Sequence, residues 1–166
     1  MLLTHLSGAF PTGYIQKLCD HTTRQVPFSY GEAPLTVSYW DSDPGDATHR
    51  MMSYRNADIV IICFSVTDAK TFVNAEAVWN REVESNKPKL CQKLLVGTKI
   101  DLRPAFSSSH MLGPNEGRAL AQRIGAIGYL ECSAKTQEGL QAVFAGAHSW
   151  GDHKIRQLKD PYRPLS

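Results

Sequence analysis

Three apolar runs, separated by segments with helical features, limit the folds open to this sequence. The runs cover residues 57–65, 93–98 and 129–132. Continuous apolar runs of this length are typical of strands buried on both faces of a sheet. Because strands that alternate with helices favour layered architectures, we expect an α/β domain with a mostly parallel sheet.

Side-chain caps and apolar spacing predict the helices. Thr67 and Asp68 are good N-caps for a helix that ends near residue 85, and residues 115–124 form a second helix. Thr136 is predicted to cap a last helix, in which apolar residues recur at i, i+3, i+4 and i+7. These apolar residues are Leu140, Val143, Phe144 and Ala147.

The first part of the chain carries weaker signals. Residues 2–10 predict the end of a helix that stops at Gly8. Residues 24–30 and 35–40 alternate loosely on either side of a Gly-Glu pair, which predicts a β-hairpin.

A polar motif follows the second apolar run. Thr98, Lys99 and Asp101 come at the predicted carboxyl end of a strand, where ligands bind in sheets of this kind. The Asp101 carboxylate can accept hydrogen bonds from the N1–H and the exocyclic amine of guanine, whereas adenine offers a different pattern. Such charge-assisted bonds contribute about 1.5–3 kcal/mol each. The aliphatic stem of Lys99 can lie along the base plane while its ammonium stays in water.

A second motif, Ser133-Ala134-Lys135, follows the third apolar run. We expect backbone donors around Ala134 to meet the guanine O6, and Lys135 to flank the other side of the base. The two motifs together predict one guanine site. No residue is assigned a catalytic or a metal-ligating role.

The composition is that of a globular protein. The 166 residues are 42% hydrophobic and 20% charged, and the net charge of +2 is too small to indicate nucleic-acid binding. Cys63 and Cys132 lie in apolar runs where buried thiols are expected, and the four cysteines lack metal-ligand spacing, which favours a reducing, cytoplasmic compartment. The sequence shows no signal peptide, membrane-spanning run or C-terminal prenylation motif.

We divide the chain into one domain over residues 1–150 and a basic tail over residues 151–166. The tail contains four cationic residues, and we expect it to be flexible. A weak patch for an acidic partner or for the inner face of the plasma membrane is the alternative.

These segments together resemble a small GTPase of the Ras superfamily, closest to its Rho branch. Both base motifs occur in order and in the right strands, which is far more specific than either motif alone. The resemblance implies the three-layer fold of P-loop NTPases, with GTP or GDP and Mg²⁺ as ligands. It also implies exchange factors, activating proteins and effectors as partners, with roles in signalling and actin organisation. The matching segments are residues 9–15, 40–41, 62–65, 95–103, 117–126 and 128–136.

The phosphate-binding loop of that family has no counterpart in this sequence. Such a loop reads Gly-x-x-x-x-Gly-Lys-Ser/Thr, and its backbone N–H groups and lysine neutralise the phosphates. Here no glycine precedes a lysine, and the nearest match, residues 8–13, lacks the Lys-Ser/Thr pair. By resemblance, residues 2–3 align in the helix after the loop, so we expect the first strand and the loop to lie upstream of Met1. That strand would sit in the sheet between residues 35–40 and 57–65.

Both switch segments of the family are also altered. Lys17 stands where the family has a threonine that binds Mg²⁺, and an ammonium cannot ligate a metal. Asp41 matches the family aspartate that contacts a metal-bound water, but Asp46 replaces the glutamine that positions the attacking water. A carboxylate there would repel a γ-phosphate. We therefore expect impaired phosphate and Mg²⁺ binding and impaired hydrolysis.

Three functions are compatible with this sequence. The first is a Rho-like small GTPase, a signalling switch that binds GTP and GDP. The second is a pseudo-GTPase, an interaction module that occupies effectors or regulators without hydrolysing nucleotide. The third is a non-functional truncated product. The intact base motifs favour the first, whereas the altered phosphate and switch segments favour the other two.

Overall fold

Five strands in the part of the chain that the structure describes form two separate sheets. The computed structural model describes residues 1–13, 21–27, 34–105 and 111–159. The strands are β1 (His21–Val26), β2 (Leu35–Trp40), β3 (Ile59–Ser65), β4 (Gln92–Thr98) and β5 (Tyr129–Cys132). The last three pair in parallel in the order β3–β4–β5, whereas β1 and β2 form an antiparallel pair of their own. The predicted strands are confirmed, except that the first hairpin strand covers His21–Val26 instead of residues 24–30, of which 28–30 lie with the hairpin turn outside the described residues.

Helices cover both faces of the parallel sheet. They are α1 (Leu2–Ser7), α2 (Ala47–Arg55), α3 (Ala69–Asn74), α4 (Arg81–Asn86), α5 (Pro114–Arg123) and α6 (Leu140–Lys159). A π-helical segment, Ala75–Asn80, joins α3 to α4, and a 3₁₀ helix, Ile100–Ala105, follows β4. The α6 helix continues beyond residue 150 into the predicted tail.

Local capping explains most of the helix ends. Gly8 ends α1 in the left-handed conformation at φ 74°, and its N–H bonds to Thr4 O at 2.9 Å. Asp68 caps α3 as predicted, because its Oδ1 accepts the Lys70 N–H at 2.9 Å. The predicted Thr136 cap is wrong, since α6 begins only at Leu140.

The core consists of one apolar layer on each face of the parallel sheet. Ile62, Phe64 and Leu95 point to the layer under α2, α4 and α5, and are 3% exposed or less. Leu94 and Val96 point to the opposite layer, which α6 covers. The four apolar α6 residues picked from their spacing are all buried there. This alternation confirms the three-layer α/β fold.

The hairpin and the parallel sheet do not pair with each other. A cavity of about 960 Å³ lies between β2 and β3. Cys63 faces it and is exposed, so the prediction of a buried thiol at this position is wrong, whereas Cys132 is fully buried as predicted. The difference arises because β3 forms the edge of its sheet while Cys132 lies beneath α6. Among the described helices, none is long and apolar enough to cross a membrane.

Candidate functional site

Two loops at the carboxyl ends of β4 and β5 enclose a pocket. Its volume is about 420 Å³, within the range of about 300–1,000 Å³ that is common for ligand sites. Of the residues predicted to bind guanine, every one except Ser133 lines this pocket. The lining residues are Met1, Phe10, Thr98, Lys99, Asp101, Leu102, Ala134 and Lys135.

The loop after β4 holds its polar residues in a fixed conformation. The Thr98 hydroxyl donates to Phe64 O at 2.9 Å, which ties the end of β4 to β3. Lys99 then adopts a left-handed backbone, with φ 64°, before the Leu102 N–H bonds to its carbonyl at 3.0 Å. Such a conformation costs a non-glycine residue about 1–3 kcal/mol and is common at ligand sites. It places Asp101 in the first turn of the 3₁₀ helix, beside the pocket.

Ser133 follows β5 as predicted but does not line the pocket. It is fully buried beneath the pocket, and its hydroxyl donates to Asp101 Oδ1 at 2.6 Å. The same hydroxyl oxygen accepts the Thr136 N–H at 3.0 Å. Ser133 therefore fixes the orientation of the Asp101 carboxylate and links the two loops. Each carboxylate oxygen still has capacity to accept a further hydrogen bond.

The loop after β5 is closed by backbone contacts. The Ser133 N–H bonds to Glu138 O at 2.9 Å, which folds the intervening residues into a tight loop. Gly139 has φ 67°, and a Cβ there would lie 2.2 Å from Glu131 O, so no other residue fits without displacing the chain. The Gln137 side chain donates to Gly8 O at 2.9 Å and ties this loop to the end of α1.

An ion pair between Arg103 and Glu131 connects the segment after β4 to β5. Arg103 follows the first motif and donates to the Glu131 carboxylate through two nitrogens, at 2.9 and 2.8 Å. The Tyr129 hydroxyl donates to the same carboxylate at 2.7 Å. Burial alone would raise the pKa of Glu131, but the bonds from Arg103 and Tyr129 hold it below its usual value. Sequence reasoning missed this pair, because nothing in the local pattern indicates that two side chains 28 positions apart meet.

We expect this ion pair to make stability depend on acid pH. Because the folded state lowers the pKa of Glu131, the carboxylate stabilises the fold above about pH 4.3, and this stabilisation is lost as the pH falls through the lower folded value. When the pH is lowered from about 6 to about 3, a range that spans the usual glutamate pKa, the free energy of unfolding of Glu131→Gln should therefore fall less than that of the parent chain. Urea unfolding followed by circular dichroism measures this difference.

A matched control for that measurement is Glu116→Gln, on an exposed side chain in the first turn of α5. It should leave the acid dependence of the parent chain unchanged. Equal acid dependence in the parent and in Glu131→Gln would contradict the role assigned to the ion pair.

The pocket has the chemistry to hold a flat heterocycle with two adjacent N–H donors. The Asp101 carboxylate supplies the acceptors, and Lys99 and Lys135 both line the pocket with exposed ammonium-bearing side chains. Phe10 adds an aromatic ring that is 46% exposed at the pocket. Sequence reasoning used Phe10 only for the resemblance and assigned it no contact.

The predicted switch residues are not assembled around this pocket. Asp46 caps α2 instead, because its Oδ1 accepts the His49 N–H at 2.9 Å. Asp41 lines the larger cavity between the two sheets. Lys17 lies outside the described residues. Within the described residues, no three His, Cys, Asp or Glu side chains cluster as metal ligands would.

Comparison with known proteins relates the whole domain to one family. A family model described as the Ras family matches residues 1–149. The chain is 31% identical over 149 residues to GTP-binding protein RHO4 of Saccharomyces cerevisiae. This alignment covers 89% of this chain and 50% of RHO4. It is 32% identical over 157 residues to Rho-related protein racI of Dictyostelium discoideum. This alignment covers 87% of this chain and 75% of racI. The chain thus spans half the length of one relative and three quarters of the other.

Proposed function

We propose that this chain, which belongs to the Ras family of small GTPases and to its Rho branch, binds guanine nucleotides in the pocket between the β4 and β5 loops. One observation carries the proposal. Asp101 lines a pocket of suitable size and is fixed there by Ser133, in the place where the sequence motifs put a guanine reader. The printed name of the relative RHO4 describes a GTP-binding protein, which supports GTP and GDP as the ligands.

The pocket favours guanine over adenine. The Asp101 carboxylate accepts hydrogen bonds and cannot donate them while ionised, so it pairs with the N1–H and the exocyclic amine of guanine. Adenine presents an unprotonated N1 at that edge, which would face the carboxylate without a proton between them. A buried polar site rejects a ligand that leaves its groups unpaired more strongly than an apolar site does.

The base contributes the larger part of the binding energy in this proposal. By family resemblance, Lys17 stands at the position of the threonine that binds Mg²⁺ beside the phosphates, and an ammonium cannot ligate a metal. Binding that rests on a few base contacts gives about 4 kcal/mol, which corresponds to a millimolar dissociation constant. We therefore propose that GDP binds only modestly better than guanosine and that Mg²⁺ has little effect.

Asp46 favours a second function, that of an interaction module without GTP hydrolysis. By family resemblance this position holds the group that orients the attacking water, and here its carboxylate is engaged as the cap of α2. A domain of this kind would occupy effectors, exchange factors or activating proteins of Rho-type GTPases, including those that act on actin. We propose a cytoplasmic location, with peripheral contact at the inner face of the plasma membrane through the basic tail as the alternative.

A competition titration tests the nucleotide proposal. A fluorescent GDP analogue is bound to the purified chain, and guanosine, GDP and adenosine are added as competitors with and without Mg²⁺. We expect guanosine and GDP to displace the probe at similar concentrations, adenosine to fail, and Mg²⁺ to change little. Equal displacement by adenosine would disprove guanine recognition, and a strong dependence on Mg²⁺ would disprove the weak phosphate contribution.

A further inference from the structure

Four ring side chains from α1, β2 and α6 meet on the face of the parallel sheet that α6 covers. The His5 ring of α1 stacks on the Phe144 ring of α6, with the ring centroids 3.7 Å apart and the planes at 11°. The Tyr39 ring of β2 meets the His5 ring edge-on at 5.8 Å, and the His148 ring of α6 lies 6.2 Å from it. These contacts join α1 and the hairpin to α6.

Two hydrogen bonds reinforce this packing. The Tyr39 hydroxyl and His148 Nε2 form a hydrogen bond at 2.6 Å. The Arg24 guanidinium of β1 donates to the carbonyl of Leu6, the residue that follows His5 in α1. Because a guanidinium keeps its charge at neutral and at acid pH, a positive group always lies near His5.

The surroundings of His5 favour its neutral form. The Nδ1 atom is buried and has no hydrogen-bond partner among the described residues. A neutral imidazole can leave this nitrogen without a proton, whereas the charged ring carries an N–H on both nitrogens, and a buried donor without an acceptor is costly. Burial is the largest cause that lowers the pKa of His5, and the charges of His148 and Arg24 lower it further.

In the described part of the chain, the charged and titratable groups next to His5 are Arg24 of β1, Tyr39 of β2 and His148 of α6. Burial raises the pKa of Tyr39, so its hydroxyl stays neutral at acid pH. Protonated His148 could only donate to Tyr39, and it would bring a second cation close to His5. The Phe144 ring attracts a cation and opposes these effects, so the measured pKa of His5 gives their sum.

We propose that His5 makes the packing of α1 and the hairpin on α6 sensitive to pH, so that mild acid loosens both elements from α6. When they separate, the His5 ring reaches water and regains its ordinary pKa of 6.5. Because the packed state lowers this pKa, the packing has its full strength above about pH 6.5 and weakens as the pH falls through 6.5 towards the lower value. This behaviour does not depend on whether the pocket binds guanine.

An NMR titration of the histidine rings tests the first step in the parent chain. The His5 ring is identified by its proximity to Phe144, so no variant is needed. We expect its pKa to lie below the ordinary value of 6.5. A pKa of 6.5 or above would overturn the proposal.

Hydrogen exchange tests the second step. Amide protection factors, corrected for the intrinsic effect of pH on exchange, are compared at about pH 7.5 and about pH 5.5, on either side of the histidine value. We expect protection in α1 and the hairpin to fall by about threefold to tenfold at the lower pH, since one proton taken up on opening changes the equilibrium by up to about tenfold per pH unit. Protection should fall because a short helix and a two-stranded hairpin are marginal on their own. Amides of β4 should keep their protection.

Two variants assign the effect to His5. His5→Phe keeps an aromatic ring on Phe144 but cannot be protonated, so the protection of α1 and the hairpin should no longer fall in acid. His21→Phe is the matched control, because it removes an exposed imidazole that stacks on Trp40 at 4.8 Å, and it should behave as the parent chain does. The proposal is overturned if the parent shows no loss of protection, or if His5→Phe shows the same loss as the parent.

Discussion

Replacing Asp101 by alanine is expected to weaken the binding of guanosine and GDP by about a hundredfold or more. The carboxylate would make two charge-assisted hydrogen bonds to the base, each worth about 1.5–3 kcal/mol, and alanine removes both. The exchange also leaves the buried Ser133 hydroxyl without its acceptor, although its bond to the Thr136 N–H remains. Displacement of a fluorescent GDP analogue measures the loss.

Two further variants make this result specific to base recognition. Asp101→Asn keeps the shape of the side chain but offers an amide in place of one acceptor, so guanine binding should fall while binding of xanthine, which has a carbonyl in place of the exocyclic amine, should rise. Glu116→Ala removes an exposed carboxylate in the first turn of α5 and should change neither. Unchanged guanosine binding in Asp101→Ala would show that the base lies elsewhere.

Replacing Glu82 by alanine is expected to lower the free energy of unfolding by about 3 kcal/mol or more. Arg50 is only 7% exposed, and its guanidinium donates to the Glu82 carboxylate through Nε at 2.7 Å and Nη2 at 2.9 Å. The Tyr54 hydroxyl donates to the same carboxylate at 2.9 Å. Removing the carboxylate leaves a buried cation and a hydroxyl without their partner, which is among the costliest single changes in a protein.

Arg50 also contacts the loop before α2, so the loss of Glu82 should affect this loop as well. Its Nη1 donates to Asp43 O at 2.9 Å and to Pro44 O at 2.6 Å, so the guanidinium also fixes the loop before α2. The hydrogen bond from Arg50 also lowers the pKa of Glu82, so the ionised carboxylate and the guanidinium stabilise each other. Urea unfolding at neutral pH measures the free energy, and loss of order in the α2 segment should appear in hydrogen exchange.

An exposed ion pair of the same type gives the control. Arg123 donates to Glu76 through two nitrogens at 3.1 and 2.8 Å, but both side chains are about half exposed, at 51% and 44%. Exposed pairs contribute about 0–1 kcal/mol, so Glu76→Ala should be nearly neutral. Similar losses in Glu82→Ala and Glu76→Ala would contradict the argument that burial sets the cost.

The parts of the fold that the sequence predicted are those with a local physical origin. The strand over Tyr129–Cys132 follows from a continuous apolar run, and the Asp68 cap from a side chain two residues from the N–H it accepts. The four apolar residues of α6 follow from helical spacing. The base motifs were placed correctly beyond the strands because carboxyl ends of parallel strands meet at one edge of a sheet.

The errors came from contacts between distant segments. The bond from the buried Ser133 to Asp101, 32 positions earlier, was not predicted, and a contact of Ser133 with the base stays a prediction. Cys63 was expected in the core, yet it is exposed because the sheet ends at β3. The α2 helix, with its poorly amphipathic sequence, was not predicted, and Arg50 joins it to α4 through a partner 32 positions away.

The amino-acid sequence by itself determined the alternation of strands and helices and the family, because periodicity, caps and motif spacing act over a few neighbouring positions. It also supplied the residues that we propose to read guanine. Only the tertiary structure decided which polar side chains form hydrogen bonds with each other, and which strand lies at the edge of the described sheet. Those outcomes depend on packing and on hydrogen bonds between residues far apart in the chain. The Ser133–Asp101 bond is the result of this kind on which the proposed guanine site depends.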